Sequence, residues 1–352
     1  MRIVFMGSAA LACPSLEMLL GYGTTPGSLP RSHIAETRQA DKVVAVVTQP
    51  DRPKGRNLKM SFCAVKILAL NKNLTVLTPQ NVNSSDSIDA LRRLKPDLIV
   101  VVAYGQILKK EILALPPEGC VNVHASLLPK YRGAAPIQWA IANGEQVTGV
   151  TTMFMSEGMD DGDIILQKEV AIGREDTAGS LNDRLAQEGA ILLSETVEAI
   201  RNGRAIRIPQ IGTEATFASK LSKEDGRIDW TKPAEEIYNR VRGFSPWPCC
   251  WCIAPVNRGQ PASPGPALPE ATPCHGSQEE KKKNGKLRVF RVRVEEAEGK
   301  SGEVIDVSGD GPLVGTGDKS VRLLEVQPEG KKVMSGDAYL RGHGLKVGDK
   351  VF

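Results

Sequence analysis

VNVHASLLPKYRGAAPIQWAI, residues 121–141, decides how this chain is read. Val121 and Val123 alternate with Asn122 and His124, and in a strand residues two apart face the same way. Asn122 and His124 therefore project together, opposite the two valines. A loop follows that contains no acid, stiffened by Pro129 and allowed a tight turn by Gly133. Ala134–Ala142 then has helical spacing, so the segment reads as strand, loop and helix. A buried strand gains nothing from two polar side chains on one face. In open parallel sheets the carboxyl ends of the strands form the edge where ligands bind. Asn122 and His124 are therefore candidate site residues on that edge.

Working outward, apolar runs rich in β-branched residues recur at Ile3–Met6, Val43–Thr48 and Leu98–Ala103. Amphipathic segments such as Ser61–Asn73 and Asp86–Leu94 separate them. Near-continuous Val/Ile strands alternating with helices predict an α/β fold: a mostly parallel sheet with helices on both faces. The first strand ends in GSAA, which predicts a helix near Pro14–Leu20. No G-x-G-x-x-G follows it, so a dinucleotide site lacks support. Thr24–Lys42 reads as a surface insertion. Thr177–Asn202 reads as a long helix with Gly203 as its C-cap.

Polar sequence over 206–220 reads as a linker, after which the texture changes. Short alternating segments at Leu287–Val294, Gly302–Val307 and Val321–Val326 predict a small antiparallel barrel or sandwich. Asn257–Asn284, proline-rich and ending in EEKKKN, reads as a loop. The division expected is 1–205, a linker over 206–220, and 221–352.

The bulk numbers exclude some classes. A chain of 352 residues with 41% hydrophobic and 24% charged residues is an ordinary globular composition. A net charge of +4 permits a polyanionic partner without demanding one. No apolar run is long enough to span a bilayer, and the N-terminus lacks the character of a targeting segment. Seven scattered cysteines point to reduced thiols and a cytoplasmic location. Cys249, Cys250, Cys252 and Cys274-His275 lack a C-x-x-C knuckle, so no metal is expected. Trp230, Trp247 and Trp251 are expected in packing roles.

Three further stretches carry chemistry. MDDGDI places Asp160, Asp161 and Asp163 around Gly162, and by spacing it is a turn or weak cation loop as readily as a site. TQPDRPKGRNLK sets Arg52, Lys54, Arg56 and Lys59 beside two prolines and a glycine, which suits phosphate contact. KKKNGKLRVFRVRV (281–294) contains seven basic residues and no acid. Lys286 and Arg288 share one strand face there, with a bulge expected at Val289–Phe290.

NVHASLLPKYRGAAPIQWA resembles the signature of the 10-formyltetrahydrofolate-dependent formyltransferases. TQPDRPKGR, KLSKEDGRIDW, FSPWP and QPEGKKVMSGDAYLRG make the chain most similar to the methionyl-tRNA formyltransferase family within them. The resemblance covers nearly the whole chain. It implies a Rossmann-like catalytic domain over 1–205 and an OB-like β-barrel over 221–352 that binds tRNA. It also implies formyl transfer from 10-formyltetrahydrofolate to initiator methionyl-tRNA. The alternative acceptor within the superfamily is an amino-sugar nucleotide.

By resemblance the carboxylate is Asp160, which would shuttle the amine's proton directly or through water. Asn122 would hold the oxyanion with His124 beside it, and Met159 and Ile164 would shield the acid. Ser126, Leu127, Leu128 and Pro129 match the segment that cradles the folate. The Arg52–Lys59 loop would enter the acceptor stem, with Lys286 and Arg288 as a further backbone track. The chain is expected to act as a monomer away from any membrane.

Overall fold

The structure, a computed structural model, describes residues 1–21, 41–54, 59–256, 283–343 and 345–352. Most of the expected 24–42 and 257–284 insertions, including Cys274 and His275, lies outside the described residues. The chain divides into two compact units. Unit 1 takes in 1–140, 145–174 and 179–220; unit 2 takes in 141–144, 175–178 and 221–352.

In chain order, unit 1 contains β1 (Arg2–Gly7), β2 (Lys42–Val47), β3 (Arg52–Lys54), β4 (Lys59–Ser61), β5 (Val76–Leu77), β6 (Leu98–Val102), β7 (Cys120–His124), β8 (Arg132–Gly133), β9 (Val147–Phe154), β10 (Ile164–Ala171) and β11 (Phe217–Ala218). A seven-stranded sheet runs β10-β9-β7-β6-β1-β2-β5. Its five strands from β7 to β5 are parallel, whereas β9 and β10 are antiparallel. Ile3, Phe5, Leu98, Ile99 and Val100 have no exposed surface, as strands covered on both faces require. The order reverses between β1 and β6, and that crevice lies at the carboxyl ends of the strands.

Helices α1 (Cys13–Leu19), α2 (Ala64–Asn71), α3 (Ser85–Arg93) and α4 (Ala178–Arg201) lie within a residue or so of the expected segments, save at the first three residues of Ser61–Asn73. Gly203 follows α4 with φ +63°, as a C-cap glycine requires.

Residues 206–220, expected as a linker, belong to unit 1. Ile208 and Ile164 exchange backbone hydrogen bonds of 2.9 and 2.8 Å. Phe217–Ala218 pairs in parallel with Arg132–Gly133.

Unit 2 is built on an antiparallel sheet of β12 (Cys250–Val256), β13 (Lys283–Glu295), β14 (Val304–Asp306), β15 (Leu313–Gly315), β16 (Ser320–Pro328) and β17 (Met334–Ser335). The order is β12-β13-β16-β15-β14, with β17 on β16. The register of β13 against β16 shifts between Val289 and Arg291, at the expected bulge. Residues 348–352 join the two edge strands. Val304 donates to the Asp349 carbonyl at 2.8 Å, and Ile253 and Phe352 exchange hydrogen bonds of 2.7 and 2.9 Å.

Arg322, 8% exposed, spends all five of its N–H groups. It donates to both Glu295 oxygens (2.7 and 3.0 Å), to Asp306 Oδ2 (2.9 Å) and to the Ser308 and Gly311 carbonyls (2.7 and 2.8 Å). Hydrogen bonds from Ser308, assisted by Arg322, hold the Asp306 carboxyl down at about 2.

Burial pushes the thiols of Cys120, Cys250 and Cys252 up to about 12. The thiolate is the reactive form. Iodoacetamide at pH 8 is therefore expected to leave these three unmodified in the native protein and to label them all in denaturant. Peptide mass mapping reads the result, and rapid native labelling of any of them contradicts the packing described here.

Candidate active site

Asn122 and His124 end β7, and Asp160 lies in the loop from β9 to β10. The structure brings the three together. Asn122 Nδ2 donates to Asp160 Oδ1 at 3.3 Å, and His124 Nδ1 is 3.6 Å from Asp160 Oδ2. The backbone N–H of Gly133 donates to the same Oδ2 at 2.9 Å. His124 Nε2 lies 2.9 Å from the Tyr131 carbonyl. A carbonyl oxygen only accepts, so Nε2 carries a hydrogen and Nδ1 is the nitrogen turned to the acid. The imidazole is 7% exposed and the carboxylate 18%, enclosed yet reachable.

The backbone around this cluster is strained. Asp160 has φ +51°, Tyr131 +61° and Ala103 +46°, left-handed values that cost a non-glycine residue free energy. Such residues persist where surrounding contacts over-determine them, and they gather at functional sites.

The other two acids are spoken for elsewhere. Asp161 is exposed and accepts from Ser156 Oγ. Asp163 lies 3.6 Å from Arg207. Met159 is 57% exposed and so does not bury Asp160, whereas Ile164 is buried.

A cavity of about 600 Å³ opens beside the cluster. It is lined by the turn after β1, by the end of β6 and the residues after it (Tyr104, Gly105, Leu108), and by Asn122, His124 and Asp160. It thus lies at the crevice where the strand order reverses. Tyr104 is buried, and its hydroxyl has no hydrogen-bond partner among the described residues.

Ser126, Leu127, Leu128 and Pro129, expected to cradle the folate, are not among the residues lining this cavity. Ser126 Oγ donates to the Lys130 carbonyl at 2.7 Å, and the backbone N–H of Leu128 donates to Thr151 at 3.1 Å. Leu128 packs with Met153 and Ile164. An apolar side chain in a loop fills core or ligand space equally well, and here core packing takes it.

Of the basic candidates, Arg52, Lys54 and Lys59 belong to the hairpin of β3 and β4, with Lys54 opposite Lys59. Arg56 lies outside the described residues. The base of the hairpin is tied by Lys66, which donates to Asp51 Oδ2 at 2.7 Å. In unit 2, Lys286 Nζ sits 3.6 Å over the Trp251 ring, and Arg288 donates to neutral Gln327 at 3.4 Å. Arg291 and Arg293 on the same strand are paired with Glu325, Glu295 and Asp310. Trp230 is buried as expected, but Trp247 is 51% exposed. Among the described residues, no group of three His, Cys, Asp or Glu side chains is arranged to hold a metal. No helix there is long and apolar enough to cross a membrane.

Sequence reasoning missed Gln210, placed in the supposed linker. Its Nε2 donates to the Asp160 and Gly162 carbonyls at 2.9 and 2.8 Å. Its Oε1 accepts from Arg132 Nε and one terminal nitrogen at 3.0 and 2.8 Å. A glutamine after a proline, in a segment without periodicity, sends no local signal of such a role.

Residues 23–197 match the formyl transferase family model, and residues 220–344 match the formyl transferase C-terminal domain. The methionyl-tRNA formyltransferase of Geobacter sulfurreducens is 40% identical over 100% of this chain and 96% of its own length. That of Caldanaerobacter subterraneus subsp. tengcongensis is 42% identical over 99% of each. Among solved structures, an N-formyltransferase from Helicobacter canadensis, in complex with folinic acid and dTDP-3-aminofucose, superposes with a TM-score of 0.57 at 18% identity. The match covers 92% of this chain and 99% of that one.

Proposed function

Because the chain belongs to the formyl transferase family, among the methionyl-tRNA formyltransferases, we propose that it formylates the α-amino group of initiator methionyl-tRNA with 10-formyltetrahydrofolate. One observation carries the reading: an amide, an imidazole and a carboxylate converge within 3.6 Å contacts beside a cavity at the strand ends.

The amine attacks the formyl carbon, which loads negative charge onto the formyl oxygen. The Asn122 amide N–H stabilises that charge by turning from Asp160 to the new acceptor. The amine must then lose a proton. Asp160 takes it, directly or through water, with His124 Nδ1 as the neighbouring relay. The tetrahedral species then collapses, the bond from the formyl carbon to N10 of the folate breaks, and the proton passes to the departing N10, releasing tetrahydrofolate. Nε2 stays bound to the Tyr131 carbonyl and fixes the ring. No enzyme-linked intermediate is needed, because the acceptor amine is itself the nucleophile. The folate is assigned to the cavity, with Tyr104–Leu108 at its wall and Ser126–Pro129, on the loop that follows His124, as its cradle.

The Arg52–Lys59 hairpin is assigned to the acceptor stem, with Lys286 and Arg288, which form no ion pair among the described residues, as backbone contacts. The enzyme is taken as a cytoplasmic monomer. The six described cysteines are free thiols, and one chain carries every polar group of the site.

The test incubates the protein with 10-formyltetrahydrofolate and either methionyl-tRNA or a dTDP-amino sugar, and follows the free amine by mass. Turnover is expected with methionyl-tRNA only. Turnover of the sugar alone overturns the assigned acceptor. Neutralising Arg52, Lys54 and Arg56 together is expected to raise the KM for tRNA and to flatten its salt dependence. The log–log slope should fall by about 0.7–0.9 per lost phosphate contact, with the KM for folate unchanged. A collapse of folate affinity instead would remove the hairpin from the acceptor stem.

A further inference from the structure

We propose that Gln210 is a positioning residue for formyl transfer, a single side-chain amide that fixes the turn presenting Asp160. The proposal rests on the reading above, in which Asp160 accepts the amine's proton.

Asp160 occupies a left-handed conformation at φ +51°, which costs an aspartate free energy that surrounding contacts must offset. Both Nε2 hydrogens of Gln210 are spent on this turn, one on the Asp160 carbonyl and one on that of Gly162. The carbonyl of Asp161, between them, is left out of the grip, so the amide straddles the turn. Its Oε1 is spent on Arg132, whose neighbour Gly133 donates its backbone N–H to the Asp160 carboxylate. One amide therefore holds the acid from two sides: through its own main chain, and through the strand that supplies its hydrogen-bond donor. Gln210 is not among the residues lining the cavity, so any effect on chemistry passes through Asp160. The backbone exchange between Ile208 and Ile164 fixes the segment that carries it.

Gln210→Glu is close in shape and keeps the acceptor for Arg132. It replaces both donors with carboxylate oxygens facing two carbonyls. Gln210→Met keeps the length and removes donors and acceptor alike. Rates are expressed per folded molecule, taken from the unfolding trace of each variant. At saturating 10-formyltetrahydrofolate and methionyl-tRNA, Gln210→Glu is expected to lower kcat about 30-fold, with both KM values within about threefold of the parent. Gln210→Met should fall at least as far. A purely structural residue would lower the melting temperature and leave kcat per folded molecule unchanged.

The positioning role is overturned if either variant keeps kcat within about twofold of the parent, or if the loss lies wholly in KM. Asp160→Asn is run alongside. Full activity in that variant removes the underlying reading, whereas a dead Asp160→Asn with a fully active Gln210→Glu removes only the positioning role.

Discussion

Replacing Asp160 with asparagine is expected to lower kcat for formyl transfer about 10³-fold, with both KM values within about threefold of the parent. Asparagine matches the aspartate in shape, and its oxygen still accepts from the Gly133 N–H. What it cannot do is take a proton from the attacking amine. With that oxygen kept on Gly133, its NH2 takes the place of Oδ1 and faces Asn122 Nδ2, donor against donor, where the carboxylate oxygen now lies at 3.3 Å. Asp161→Asn is the control. That carboxylate is exposed and bonded to Ser156, so its loss should leave kcat within about twofold. Single-turnover formylation with saturating folate separates the two. An Asp160→Asn rate within tenfold of the parent would take the proton-accepting role away from this residue.

The second large effect is expected at Gly162. A Cβ there would overlap the carbonyl oxygen of Phe154, which is main chain and has nowhere to go. Phe154 N–H is already bonded to the Asp163 carbonyl at 2.9 Å, and the Gly162 carbonyl accepts from Gln210. Gly162→Ala must therefore pry the Asp160 turn away from the end of β9. The expected cost is about 2–4 kcal/mol, from forced backbone displacement. That lowers the melting temperature by roughly 3–5 °C in a chain of this size. In the molecules that remain folded, kcat should fall by about 10²-fold, because the acid is displaced. Calorimetry and formylation on the same preparation measure both. Gly203→Ala is the comparison: a Cβ there meets nothing within 4 Å, so only the left-handed φ of +63° is penalised, at about 1 kcal/mol. Equal melting temperatures for the two variants would show that the Phe154 contact yields easily.

The difference between these sites also shows what the sequence could disclose. The parallel strands were legible because burial on both faces leaves an unbroken Val/Ile run, as in LIVVV of β6. Asn122 and His124 were legible because a period of two places them on one face at a strand end. Gln210 was not, since its partners at 132, 160 and 162 lie far away in the chain and no periodicity links them. The Asp-Asp-Gly run announces a turn, but not that Asp160 is the residue that takes the left-handed conformation. Leu127 and Leu128 were placed at the folate by resemblance, since hydrophobicity alone does not say whether core or ligand will meet it. Arg322 breaks the alternation in the opposite sense. A charged residue mid-strand reads as solvent-facing, yet it is buried because Glu295, Asp306 and two carbonyls satisfy every donor.

The pairing of residues 348–352 with both edge strands of unit 2 bears on how the protein is made. Synthesis runs from the N-terminus, so β12 through β16 emerge while each outer edge still displays unmet N–H and C=O groups. Such edges recruit any passing strand, including one from a neighbouring nascent chain. The vulnerable interval ends only when residues 348–352 have also emerged and stitch the two borders together.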